Sequence, residues 1–414
     1  MPTPLRTAAL AALALAAPAA QAQYFFGALD QDAPVDVPEI TALAMGDAVT
    51  AVSHPRTAFF SNPAHLASLD GVRVSAIGVQ AGVGGNAWDT YAFYRDELGP
   101  AIEEGLEQIR EDDPERLREL YTDALDVGRD QKTAGVAAEA LAVQLKLGPL
   151  AVGAGAFADA RARAKLTDGG AGIPVVDAYS QADLVVPVVA ALDVPGTPLS
   201  VGASVAYVER RVTAKSEFVD ALEPDAEKVY LLGGNGVALS AGVVAHGVGL
   251  PGLDLGMAVS NLGGVGDLTF DRSWAVSTPD DAEPADDASE IAELEARFAA
   301  RESAPVLRMG AAYSLPLPKV SPVSDVAVSA DWISGSTSEF DQAPETGVRV
   351  GAQARFAKVL WLRGGVAQGY PTAGVGLDLK FVQVDYATYA VEDGRTMGQL
   401  GRRNHVVQVR VGLF

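Results

Sequence analysis

The chain has 414 residues, 43 of them glycine and none cysteine, with a formal net charge of −22 from 53 acidic and 31 basic side chains. Without cysteine there is no disulfide staple, no thiolate metal site and no thiol nucleophile. The acidic balance speaks against nucleic acid as a partner, since neutralising phosphates takes clustered Lys and Arg.

Residues 1–22 read as a secretory signal peptide: Arg6, an apolar stretch from Ala8 to Ala17, then Ala20-x-Ala22, with cleavage expected before Gln23. That stretch is short for a membrane anchor, which takes roughly 20 apolar residues. Export from a bacterial cytoplasm follows. No later segment is an uninterrupted apolar run of helix-spanning length, so a bundle of membrane helices does not fit.

From residue 71 to 414 most of the sequence falls into segments of about ten residues in which apolar residues alternate with polar or small ones, the period of a strand. They lie near 72–80, 86–94, 136–147, 150–160, 175–193, 199–209, 236–246, 253–260, 305–315, 325–332, 346–356, 359–368, 372–380, 381–390 and 405–414. This is roughly 14 strands, with 175–193 long enough to be two. Val348, Val350, Ala352, Ala354 and Phe356 share one face, against Arg349, Gly351, Gln353 and Arg355 on the other. Ala373, Val375, Leu377 and Leu379 likewise oppose Gly374, Gly376, Asp378 and Lys380, and Val382, Val384 and Tyr386 oppose Gln383 and Asp385.

Two stretches break the pattern. Between 101 and 127, Ile102, Leu106 and Ile109, then Leu117, Leu120, Tyr121 and Ala124, recur at helical spacing. Pro114 divides them into two amphipathic helices, with Asp113 as N-cap. Residues 277–301 form an acidic loop leading into a short helix that carries Ile291, Leu294 and Phe298.

The alternation fits a soluble sandwich or a membrane barrel. Strand length favours the barrel, because a tilted strand crosses a bilayer in roughly 9–11 residues. So do full charges on the polar face: a lumen tolerates Arg349, Arg355, Arg363, Asp378 and Asp385, and lipid does not. The fold class is therefore all-β, a transmembrane antiparallel β-barrel of about 14 strands with short helical loop insertions. In the last strand Val407, Val409, Val411 and Leu413 form the apolar face and Phe414 falls out of phase; a bulge near Gly412 would restore Phe414 as an assembly signal.

The segment before the first strand contains Ala44-Met45-Gly46-Asp47-Ala48, then Ser53-His54-Pro55, then Phe59-Phe60-Ser61-Asn62-Pro63-Ala64-His65-Leu66-Ala67. This resembles the N-terminal signature of FadL-like outer-membrane barrels. The layout looks most like the conjugal-transfer TraF-like barrels, through the acidic helical insertion and Val259-Ser260-Asn261-Leu262-Gly263. Residues 347–386, with Arg363-Gly364-Gly365 and Val384-Asp385-Tyr386-Ala387, look like the PorV-like accessory barrels of type IX secretion. The resemblance implies that residues 23–70 fold inward as a hatch, with Met45, Gly46, Asp47, Asn62, Pro63 and Ala64 as its candidates. Gly46 suits a tight turn, and Asn62-Pro63 a strand stop. Asp47 stands where the family usually has a second glycine, and puts a charge beside the hatch.

Chemistry is hard to place. His54, His65, His246 and His405 match no metal-ligand spacing, and no metal or other cofactor is expected. His54 and His65 could meet Ser53 or Ser61, but no oriented triad is legible. Gly233-Gly234-Asn235-Gly236 lacks the Lys-Ser of a phosphate loop and reads as a strand turn. The expected partners are outer-membrane lipid and the barrel-assembly machinery. Two functions stay open: a channel or transporter for small, hydrophobic molecules, and a non-transporting scaffold serving a secretion or surface-assembly partner. An enzyme is not expected.

Overall fold

The computed structural model describes residues 37, 39–52, 54–128, 132–169, 173–218, 228–275, 287–299, 305–317, 322–334, 343–393 and 396–413. The signal peptide, the first part of the expected hatch, residues 277–286 of the acidic loop, and Phe414 lie outside them.

Fifteen strand segments form one antiparallel sheet: β1 (Val72–Gly84), β2 (Lys132–Leu147), β3 (Leu150–Asp168), β4 (Pro174–Asp193), β5 (Leu199–Phe218), β6 (Lys228–Ala245), β7 (Leu253–Val265), β8 (Thr269–Ala275), β9 (Val306–Ser314), β10 (Val323–Ile333), β11 (Val348–Phe356), β12 (Leu360–Ala367), β13 (Tyr370–Leu379), β14 (Val382–Glu392) and β15 (Gly401–Leu413). Pairing of β1 with β15, from Val74 opposite Leu413 to Gly84 opposite Asn404, closes the sheet into a barrel. Segments β7 and β8 pair in succession with β6 and count as one wall strand broken at residues 266–268, so the wall has 14 strands.

The period-2 pattern sorts side chains between two media. Val79, Val136, Leu184, Val237, Met257, Val350, Leu377 and Val409 point outward and are exposed around the wall, while their neighbours point into the lumen. An apolar belt of this extent is stable only against hydrocarbon. Closure also leaves few unpaired backbone groups facing lipid.

At one end, the turn end, connections are short: residues 148–149, 357–359 and 380–381. The other, the loop end, carries the long connections 85–131 and 276–305. Before β1 lies α1 (Ile40–Ala44). Connection 85–131 folds into α2 (Ala87–Phe93), a π-helical turn (Tyr94–Leu98), α3 (Gly99–Glu104), α4 (Leu106–Asp112) and α5 (Pro114–Gly128). Asp113 caps α5, accepting the Arg116 backbone N–H at 3.1 Å. The helices bury Phe93, Leu98, Ile109, Leu117, Leu120 and Tyr121 against Leu166, Ile173 and Val176 of the β3–β4 extension.

Residues 86–94 are thus helical where a strand was expected, and the helical insertion begins at 87 instead of 101. Asn86 takes a left-handed conformation (φ 48°) that ends β1. Over so short a stretch the aromatics satisfy a two-residue and a three-to-four-residue period alike. Residues 175–193 form one strand, since β4 pairs with β3 and β5 along its whole length. Segment β8 escapes the sequence pattern because Gly263 and Gly264, both at positive φ, interrupt the strand ahead of it.

The short helix α6 (Ala288–Ala299) tucks Leu294 against the lumen-facing Tyr179, Val212, Tyr230 and Leu232. β9 reaches only Ser260 of β7, so β8 has no strand on its far side among the described residues. Glu295 of α6 serves that edge by accepting the Phe270 backbone N–H at 2.6 Å.

Candidate functional site

Residues 37, 39–52 and 54–69 run through the lumen and form the inner segment, with α1 and two 3-10 turns, Pro55–Ala58 and Pro63–Ser68. The wall makes room for them with lumen-facing glycines. A methyl group added at Gly202 would strike Pro63, at Gly242 Asn62, at Gly256 the Thr50 carbonyl, and at Gly374 the Ala44 side chain. At Gly351 it would lie 2.5 Å from the Met45 carbonyl oxygen, and at Gly365 2.7 Å from the Met45 carbonyl carbon. These glycines occupy β5, β6, β7, β11, β12 and β13, and so encircle the segment.

Wall side chains then fix its backbone. The Thr50 N–H donates to Asp331 at 2.7 Å, Ser329 donates to the Ala48 carbonyl at 2.6 Å, and Thr372 to the Ala44 carbonyl at 3.0 Å. Met45 is fully buried. Gly46 (φ 66°) and Asp47 (φ 63°) form a left-handed pair. Here Asp47 bears that conformation and reaches Arg308 of β9 at 2.8 Å.

Asn62 stitches the segment to itself. Its amide oxygen accepts from Ala64 N–H at 3.1 Å, and its amide nitrogen donates to the Thr50 carbonyl at 2.9 Å. Pro63 opens the 3-10 turn that follows, and Ala64 is buried. His65 donates from Nε2 to the same Thr50 carbonyl at 2.9 Å, and its Nδ1 lies 2.6 Å from Thr57 Oγ1. Burial pushes the His65 pKa down to about 4. The unfolded chain therefore takes up a proton near pH 6.5 that the folded segment refuses. Stability from this group is full above about 6.5 and falls as pH drops from there toward 4. We expect protease cleavage within 37–69 to accelerate over that window and His65→Gln to flatten the dependence; an unchanged profile in the variant would remove His65 as its source.

Four of the five lumen charges expected from sequence, Arg355, Asp378, Arg363 and Asp385, fall into two groups. Arg355 meets Asp378 at 3.1 Å, and Arg355 and Arg363 flank the Trp361 ring at 5.1 and 4.9 Å from its centroid. Deeper, Arg363 and Arg410 share Asp385 at 3.0 and 3.1 Å, Arg410 also approaches Glu39 at 3.5 Å, and Glu39 pairs with Arg56 at 3.0 Å. Burial alone would raise the Glu39 pKa, but Arg56, His54 and Arg363 outweigh it and hold the carboxyl below its usual range. Arg349 stands apart, its guanidinium turned to the carbonyls of Thr346 and Val348. Sequence reading placed Arg363 and Asp385 on one face. It missed Glu39, Arg56 and Arg410, the residues that carry the cluster from wall to inner segment; one acidic and one basic side chain, Glu39 and Arg56, in a mostly small and apolar stretch were the available signal.

Two cavities flank the inner segment. The loop-end cavity, about 260 Å³, is bounded by Glu39, Leu43, Gln80, Arg161, Arg163 and Tyr389 among others. The turn-end cavity, about 40 Å³, is lined by the polar Glu39, Arg56, Arg73 and Gln408 and by the aromatic Phe59, Phe60 and Phe157. Those three rings pack at 5.2 to 6.4 Å between centroids.

At the turn-end rim the structure forms a line that sequence spacing did not reveal: Ser200 Oγ lies 3.1 Å from His246 Nε2, whose Nδ1 lies 3.0 Å from Asp254. Proton counting argues against a nucleophile. The Ser200 hydroxyl donates to Asp193 at 2.7 Å, so Ser200 accepts from Nε2–H while Nδ1–H donates to Asp254. His246 is then an imidazolium, consistent with its hydrogen bond to Asp254 raising its pKa, and it has no lone pair with which to take the serine proton.

No protein-family model matches the sequence, and no curated protein matches it. Solved structures do share its shape. The Pseudomonas putida toluene transporter TodX superposes with a TM-score of 0.51 at 12% identity, over 92% of this chain and 98% of that one. The Ralstonia pickettii toluene transporter TbuX gives 0.50 at 15% identity, over 91% and 98%. The chain has the fold of these barrels. At such identities the likeness extends to the architecture, a closed antiparallel barrel of 14 strands, and leaves residue roles to the chain's own geometry.

Proposed function

We propose that the protein is an outer-membrane channel for small hydrophobic molecules, with residues 37–69 as its hatch. The observation that carries this reading is the pair of cavities on either side of that segment, the turn-end one walled by Phe59, Phe60 and Phe157. An apolar solute meets aromatic carbon there at little cost in hydration, and the inner segment lets it pass by releasing its hydrogen bonds to Asp331, Ser329 and Thr372. The shared fold with toluene transporters agrees with this reading. The long connections would face outward and the short turns the periplasm, after export under the signal peptide.

The test is uptake of labelled toluene by vesicles holding the purified barrel. Phe157→Asp places a charge in the aromatic wall and is expected to lower uptake about ten-fold or more. Equal uptake by vesicles holding the wild-type barrel and by empty vesicles would sink the channel, and uptake by the variant unchanged from wild type would move the path elsewhere.

The helical insertion favours a second reading. Helices α2–α5 have their own core outside the wall, as a docking platform would, in keeping with the likeness to TraF-like and PorV-like accessory barrels. Deleting residues 87–128 would leave uptake intact if they serve a partner, and would release that partner on co-purification.

A further inference from the structure

The lumen holds polar atoms that passage of an apolar molecule does not use. Glu39 Oε1, Ser75 Oγ, Gln80 Oε1, Gln408 Oε1 and Arg410 Nε are buried and have no hydrogen-bonding partner in the protein among the described residues. They do not lie scattered. Gln80 and Gln408 are opposite each other across the β1–β15 closure, and Gly78 opposite Arg410 is the next lumen-facing pair toward the turn end. Gln80 bounds the loop-end cavity, Ser75 and Gln408 bound the turn-end cavity, and Glu39 and Ala137 bound both. The two cavities therefore lie on either side of Glu39 and Ala137, against the wall formed by β15, β1 and β2.

A buried polar atom without a partner is destabilising unless water reaches it, and four along the β1–β15 wall, with Glu39 of the inner segment facing them, make a dry seam untenable. Ala137, which shares the junction with Glu39, is too small to close it.

We propose that the barrel carries water and small inorganic ions along this β15–β1–β2 seam while the inner segment stays seated, with Glu39 at the constriction. The seam is distinct from the aromatic side of the turn-end cavity. Ions follow the polar wall and the apolar solute the phenylalanines. Glu39 sets the charge balance at the narrowest point, where Arg56 and Arg410 supply the opposite sign.

The experiment is ion current through the full-length barrel in a planar lipid bilayer bathed in potassium chloride. Wild type is expected to give a small, steady conductance. Joint replacement Gln80→Leu with Gln408→Leu fills the seam with apolar side chains and should cut that conductance several-fold. Glu39→Gln keeps the shape but removes the negative charge, so the reversal potential in a salt gradient should shift toward chloride. A wild-type barrel that is electrically silent would overturn the proposal, as would a conductance untouched by the leucine pair. The Glu39→Gln shift keeps the test open should the leucine pair fail to fold. Toluene uptake is measured separately, so loss of one activity does not speak for the other.

Discussion

Replacing Asp385 with alanine is expected to destabilise the folded barrel by about 3–5 kcal/mol, because two buried guanidinium groups lose the carboxylate they share. Arg363 and Arg410 lie 3.0 and 3.1 Å from it, and the side chains of all three are 2% exposed or less. Glu39 is the remaining anion near Arg410, at 3.5 Å, and it already serves Arg56. Urea unfolding in lipid vesicles at neutral pH would show the loss as a lower midpoint. Removing the three wall charges, with Asp385→Leu, Arg363→Met and Arg410→Met together, should recover most of it, because Glu39 keeps Arg56 and no charge is then left buried alone. A loss below about 1 kcal/mol in the single variant would mean that water screens the cluster as it does a surface pair.

The second large effect concerns the seat of the inner segment. Gly242→Val and Gly351→Val each put a branched side chain where Asn62 or the Met45 carbonyl now sits. Valine suits a strand, so the wall should still close. The overlap instead weakens seating by about 1–3 kcal/mol, which raises the unseated population roughly 5- to 150-fold. Cleavage within residues 37–69 by an added protease should rise in that proportion. Gly364→Val is the control, since the nearest atom to a methyl group there is 3.6 Å away. Equal cleavage in all three variants would show that the glycines are not what holds the segment.

Much of the wall was legible because a two-residue period has one structural meaning once segments reach membrane length. The faces read from Val348 to Phe356, from Ala373 to Leu379 and from Val382 to Tyr386 are those the structure turns outward and inward. Residues 86–94 misled for the converse reason: a short aromatic stretch carries no unique period. The glycines were visible on the polar face at Gly351 and Gly374, but their use was not, because a glycine in a strand marks a bend, a bulge or a close approach alike.

By itself the sequence determined a membrane barrel of about 14 strands, since alternation, strand length and the sign of the charged faces are properties of neighbours along the chain. It also marked Met45 to Asp47 and Asn62 to Ala64 as unusual. Only the tertiary structure decided what these residues touch. Glu39 meets Arg410 across 371 positions, and Thr50 meets Asp331 across 281. Contacts at such separations depend on closure of the sheet, which sets the opposite walls around one lumen, and no local pattern encodes that distance.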